Sequence, residues 1–192
     1  MSRPSNYPAY IPQTPALLDN VAIELRTKLL AHFAWLSNGY LIAERRVKRY
    51  DDGRDLRFPA VQVGDKEYIN LLPDAHLQNH SYIERGGSDA IDYQRGRSQM
   101  QTEAAVVFFF DYRKVYPTEW GSSTVERVKS DVLDFFAQTA FSTAQIKPIR
   151  FHDTAAGIYQ DYDYWEIDSQ FLMKPYGALR VDLDIRYFQN CP

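Results

Sequence analysis

KPYGALRVDLDIRYF, residues 174–188, is the stretch that decides the fold. From Leu179 onward it alternates, with Leu179, Val181, Leu183, Ile185 and Tyr187 on one side and Arg180, Asp182, Asp184 and Arg186 on the other. A strand has a side-chain period of two, so one strand with an apolar face and a charged face is expected. Pro175 and Gly177 supply the turn that introduces it.

The strand needs something apolar to lie against, and two helical stripes answer that need. Leu18, Val21, Ala22, Leu25, Leu29, Phe33 and Leu36 recur at a 3.6-residue period, after a start at Thr14-Pro15 and before a stop at Asn38-Gly39. Val125, Val128, Val132 and Phe136, widened by Leu133 and Phe135, form the second stripe behind a capping box of Ser123 and Glu126. Between the helices, Tyr40–Tyr50 and Leu56–Val63 read as strands joined at Asp51-Asp52-Gly53, followed by short runs at 68–72 and 81–84. Ala104–Tyr112 is almost continuously apolar, as befits a strand covered on both faces. Residues 86–101, GGSDAIDYQRGRSQMQ, are polar and glycine-bearing and read as a long mobile loop. The expectation is an α+β fold with a mainly antiparallel sheet and two principal helices packed on it. Residues 1–14, with proline at 4, 8 and 12, read either as an extended arm that can lie on a neighbour or as a frayed terminus, and 15–192 as a single domain.

Composition removes some function classes. A net charge of -3 and a pI near 5.8 give no global attraction for nucleic acid or an anionic membrane. The N-terminal stretch has no apolar run of signal-peptide or membrane-span type. The single Cys191 fits a reducing compartment and has no neighbouring cation to activate it.

No catalytic or metal-binding constellation emerges, and no cofactor is implied. His76 and His80 stand four apart but lack the glutamate of a zinc-protease helix. Asp161, Asp163, Glu166 and Asp168 lack the glycine and terminal glutamate of a calcium loop. His152 and Asp153 point apart on an extended chain, and His32 stands at the rim of the first helical stripe. Interface candidates are easier to name. Ile23, Leu30 and Ala34 make a second, weaker stripe on the first helix, either a partner surface or scattered exposed residues. Arg45, Arg46, Lys48 and Arg49 lie on a hairpin that is either simply solvated or pairs with the acidic residues 161–168 of a neighbouring copy. In the second case assembly weakens as salt rises.

Together the first helix, FPAVQVGDKEYINLLPD (58–74), the apolar strand with its helix (104–136) and SQFLMKPYGALRVDLDIRYF (169–188) resemble prophage-encoded tail proteins. Their order is similar to that of the tail terminators of long-tailed phages and related contractile injection systems. The resemblance covers most of the chain from about residue 15 and rests on structural rather than catalytic motifs. It implies a non-enzymatic, ring-forming protein, typically hexameric, that caps the tail tube and joins it to the neck or head. Its partners would be itself, tube and possibly sheath proteins, and neck or connector proteins, without sequence-specific nucleic acid or membrane. Its place would be a virion tail or an injection-system particle assembled in the bacterial cytoplasm. Arg180, Asp182, Asp184 and Arg186 would then line a ring lumen or a solvent face. Two alternatives stand beside it. One is a neck or head-completion adaptor; the other is an NTF2-like isomerase or hydratase, in which an inward carboxylate such as Asp111 would have a raised pKa.

Overall fold

A computed structural model describes residues 10–74, 76–94 and 97–188. Cys191 and the first nine residues of the expected N-terminal arm lie outside the described residues, as does the side chain of Glu166. The elements run α1 (Leu18–His32), β1 (Asn38–Arg49), β2 (Asp55–Gly64), β3 (Glu67–Asn70), β4 (His80–Gln94) and β5 (Arg97–Asp111). After these come α2 (Tyr112–Val115), α3 (Val125–Gln138), β6 (Ala144–His152), α4 (Ala155–Ile158) and β7 (Tyr176–Phe188). The seven strands form one sheet in the order β3-β2-β1-β4-β5-β7-β6. Every pairing is antiparallel except β1 with β4. The architecture is α+β with a mixed, mostly antiparallel sheet, as the sequence pattern requires.

The closing strand is the hinge of this arrangement. β7 lies between β5 and β6, in unbroken register with β5 from Gln99 opposite Phe188 to Asp111 opposite Tyr176. Leu179, Val181, Leu183, Ile185 and Tyr187 enter one core with Ala104, Val106, Phe108 and Phe110 of β5, under the buried stripes of α1 and α3. Neighbouring residues of β5 point the other way: Val107 and Phe109 join Tyr40, Tyr82, Leu71 and Leu72 in a second core, roofed by Ile158, Tyr159, Ile167 and Phe171. This two-sided burial explains the continuous apolar run of β5.

Several sequence expectations give way to tertiary pairing. Helix α1 starts at Leu18, after Leu17 at φ 48°, rather than at Pro15. It ends at His32, and Asn38-Gly39 opens β1 instead of closing the helix. Gly39 is needed for close approach: a Cβ there would meet Arg26 Cγ at 3.1 Å and Leu30 Cγ at 3.2 Å. Ser123 and Glu126 make no capping box, because Thr124 is the N-cap and the buried Ser123 hydroxyl donates to Glu119 O. Leu133 is exposed, so the α3 stripe is narrower than expected.

The largest correction concerns 86–101. Its described residues are paired strands, not a loop: β4 and β5 match from Asp89 opposite Thr102 to Gln94 opposite Arg97. A bulge between Arg85 and Asp89 breaks the alternation there and hides the strand from sequence reading.

Candidate functional site: a charged cleft at a fork in the sheet

β1 and β4 pair only from Asn38 opposite His80 to Ala43 opposite Glu84. Beyond that point β1 turns to β2, while β4 stays with β5, so the sheet forks. On the face roofed by Tyr159 and Tyr162, the base of this fork is a cleft of about 610 Å³. Its lining includes Arg45, Glu84, Arg85, Glu103, Arg150, Asp161, Tyr162, Arg180 and Asp182. Four arginines face four carboxylates, so the cleft is strongly polar and nearly neutral.

Its geometry comes from strand register. Glu84 on β4 lies opposite Ala105 on β5, Ala105 opposite Asp182 on β7, and Asp182 opposite Arg150 on β6. Ala105 is small, which lets the longer side chains close over it. Arg180 reaches Glu84 Oε2 through its Nη1, and its Nε donates to Asp182 Oδ1 at 2.9 Å. His152 Nε2 stands 2.9 Å from the other Asp182 oxygen. The result is a chain of groups, Glu84–Arg180–Asp182–His152, at the boundary between the apolar and polar halves of this face.

Glu84 and Arg180 are both buried. Burial pushes Glu84 above the usual carboxylate range despite the opposing pull of Arg180. Burial also disfavours the Arg180 charge, but the Glu84 and Asp182 carboxylates outweigh it and hold the guanidinium more firmly protonated. For Asp182, burial acts upward, yet hydrogen bonds with His152 and Arg180 prevail and lower its pKa. Burial raises the phenols of Tyr82, Tyr159 and Tyr162. Glu84 Oε1 has no hydrogen-bond partner among the described residues.

Only part of this site was among the sequence candidates. Arg180 and Asp182 belong to it, but Arg180 is locked in a buried pair rather than lining a solvent or lumen face. Asp184 and Arg186 do keep to the polar half: Asp184 accepts from Gln101 at 2.7 Å and Arg186 is exposed. Glu84 was missed, because on paper it is one acid in a short polar strand end. Its periodicity with His80 and Tyr82 was the available signal.

The expected attraction between the basic hairpin and the acidic stretch is met within a single chain. Arg45 binds Asp161 at 3.1 Å, and Asp163 Oδ2 accepts from the Arg57 amide at 2.8 Å. Arg46 pairs with Glu44 and stacks on Tyr68, Arg49 pairs with Asp55, and Lys48 lies over Tyr50. Asp168 accepts from Gln170, within its own segment. Ile23 and Leu30 are half-buried against the first core, and Ala34 is the exposed member of the weak stripe.

His80, His32, Asp153 and Asp111 each have structural partners. His80 is buried between the carbonyls of Gln78 and Leu71, and burial lowers its pKa. His32 stands edge-on to Phe33 and Phe135. Asp153 binds Lys129 at 2.8 Å, leaving Thr154 to cap α4. Asp111 caps α2, and although burial acts upward, Arg113 holds its pKa down, contrary to what an inward acid of an isomerase requires. Among the described residues no three His, Cys, Asp or Glu side chains gather as a metal site, and no helix is long and apolar enough to cross a membrane.

Fold and site together define a class, an α+β domain with a forked mixed sheet and a self-paired charged cleft. No protein-family model matches the chain, and no curated protein matches it significantly.

Proposed function

We propose that this chain is a structural subunit of a phage tail or related injection system. In this reading it is a terminator that forms a ring of about six copies, caps the tail tube and joins it to the neck. The observation that carries the reading is the forked sheet. Its two wings end in exposed apolar residues, Val47 on one and Ile91 and Tyr93 on the other, while the charges of the cleft between them are largely satisfied internally. Surfaces of that kind favour contact with other subunits over turnover of a substrate. The partners are copies of itself, tube and sheath proteins and the neck, with the particle assembling in the bacterial cytoplasm.

Native mass spectrometry tests the proposal. A ring of about six with the ability to stop tube growth supports it, and a larger ring points to a neck adaptor. A monomer that leaves tube growth unaffected sinks both. A small-molecule reading has one observation in its favour, the buried Glu84 with its raised pKa in a cleft of about 610 Å³. It requires a monomer whose ligand-induced rise in Tm disappears in Glu84→Gln.

A further inference from the structure

Where β1 parts from β4, it also parts from the core. Asn38–Leu41 are buried, Ile42 and Ala43 are half-buried, and Glu44–Arg49 are exposed. The distal hairpin, residues 44–57, therefore projects past the last pairing with β4, Ala43 opposite Glu84. Leu56 is its one buried side chain. On the other side β3 follows β2 only as far as Ala60 opposite Asn70, so no described strand flanks the distal hairpin. A two-stranded hairpin with so little of its own buried has no internal means of fixing its angle to the body.

Residues 161–165 supply what the sheet does not. The chain leaves the second core after Tyr159 and returns to it at Ile167, both buried, and between them it touches the hairpin at three places. Asp161 Oδ1 lies 3.1 Å from Arg45 Nη2. The Asp163 carboxylate accepts from the Arg57 amide at 2.8 Å, and the Asp163 amide donates to the Arg57 carbonyl at 2.9 Å. One residue thus takes both main-chain groups of Arg57, as a neighbouring strand would. The Trp165 ring lies 5.2 Å from the Arg54 guanidinium carbon. Arg54 and Arg57 stand on either side of Leu56 along the chain. Asp161 and Tyr162 line the cleft from the roof and Arg45 lines it from the hairpin, so the same contacts set its width.

We propose that residues 161–165 are a strap that holds the distal hairpin at a fixed angle, and that releasing them lets the hairpin swing about the fork at Ala43 and opens the cleft. The strap can release without unfolding the core. The Arg45 and Asp161 side chains are 53% and 50% exposed, and Trp165 is exposed too, so both contacts are weak; the Asp163 bonds to the Arg57 main chain are the firm ones. Because the strap is fixed at both ends in the second core, the hairpin is the part that moves. The inference concerns a single chain and does not rest on the ring reading. It bears on whatever meets the exposed Val47, which rides on the hairpin.

Spin-label distances test this on the full chain. Labels at Val47→Cys and Ile91→Cys, two exposed positions on opposite wings, report the angle between the wings in a Cys191→Ser background diluted with unlabelled Cys191→Ser chain. With the strap intact the distance distribution should be single and narrow. Asp163→Ala with Trp165→Ala should broaden it, and amide exchange over 44–57 should rise at least ~10-fold while β7 keeps its protection. Asp161→Ala with Trp165→Ala removes exposed side chains alone and takes over if the first variant does not fold; it should broaden the distribution to a smaller extent. A folded variant whose distribution stays narrow overturns the proposal, as does a broad distribution with the strap intact. Exchange that rises equally in β7 also overturns it, because residues 161–165 would then hold the core and not the hairpin. Neither measurement reads oligomer mass, so the outcome stands whether or not rings form.

Discussion

Glu24 shows how a single residue fastens distant parts of the chain. Its two carboxylate oxygens accept from the amides and hydroxyls of Ser142 and Thr143, at 2.6 to 3.0 Å, which ties α1 to the turn before β6. Burial acts to raise its pKa, but Thr143 and Ser142 outweigh it and lower the pKa from 4.5 to about 2. A depressed acid contributes stability that is present above its unfolded pKa and lost as the pH falls through its folded one. Glu24→Gln should therefore cost about 1.5–3 kcal/mol at pH 7. The gap from wild type should close between pH 4.5 and 2, as followed by urea denaturation across that window. A gap that persists undiminished at pH 2 would assign the loss to packing. Arg180 makes a second test, since removing one partner of a buried pair leaves the other uncompensated. Arg180→Met should lower stability by about 3–5 kcal/mol. Adding Glu84→Gln should restore part of it, and strict additivity in the double variant would show that the two groups are not coupled.

At the scale of elements, the helices hold the sheet by their narrow apolar stripes, and Leu25 and Val132 are both fully buried beneath them. A charge at either site has no partner and no water, so Leu25→Asp or Val132→Asp should abolish the cooperative thermal transition. Cooperative melting near the wild-type temperature would refute the packing described. The stripes of α1 and α3 could be read from the sequence because helical periodicity needs no knowledge of the partner. Their ends could not. The Thr14-Pro15 signal fails because Leu17, at φ 48°, delays the helix to Leu18, the Ser123–Glu126 signal fails because the Ser123 hydroxyl is taken by Glu119 O, and Asn38-Gly39 is claimed by pairing with β4. The strand over 86–94 was hidden for a related reason. The Gly86-Gly87-Ser88 bulge shifts the alternation, and β5 supplies the register that the residues themselves do not announce.

For the whole molecule, the notable outcome is that charges suited to holding copies together are used within one copy. Arg45 pairs with Asp161, and the Asp163 carboxylate accepts from the Arg57 main-chain amide, so both acids join the first hairpin to the roof of the second core. Association should then rest on apolar and main-chain contacts, and raising salt from 0.05 to about 0.5 M should leave the oligomer mass unchanged. Dissociation with salt would instead return the basic hairpin to the interface between copies. The candidate site was half legible: Arg180 and Asp182 stood out on the closing strand, while Glu84 and His152 join them only through the register of four adjacent strands. The α+β class, the two helical stripes and the two faces of residues 179–188 are legible in the amino-acid order, because periodicity is a local property of the chain. Strand pairing, by contrast, sets the partial burial of the charged face, the fork of the sheet after Ala43, and the outer side of β4 that no described strand covers. Those outcomes depend on which strands become neighbours, and neighbour choice is fixed by long-range burial, not by any stretch read alone.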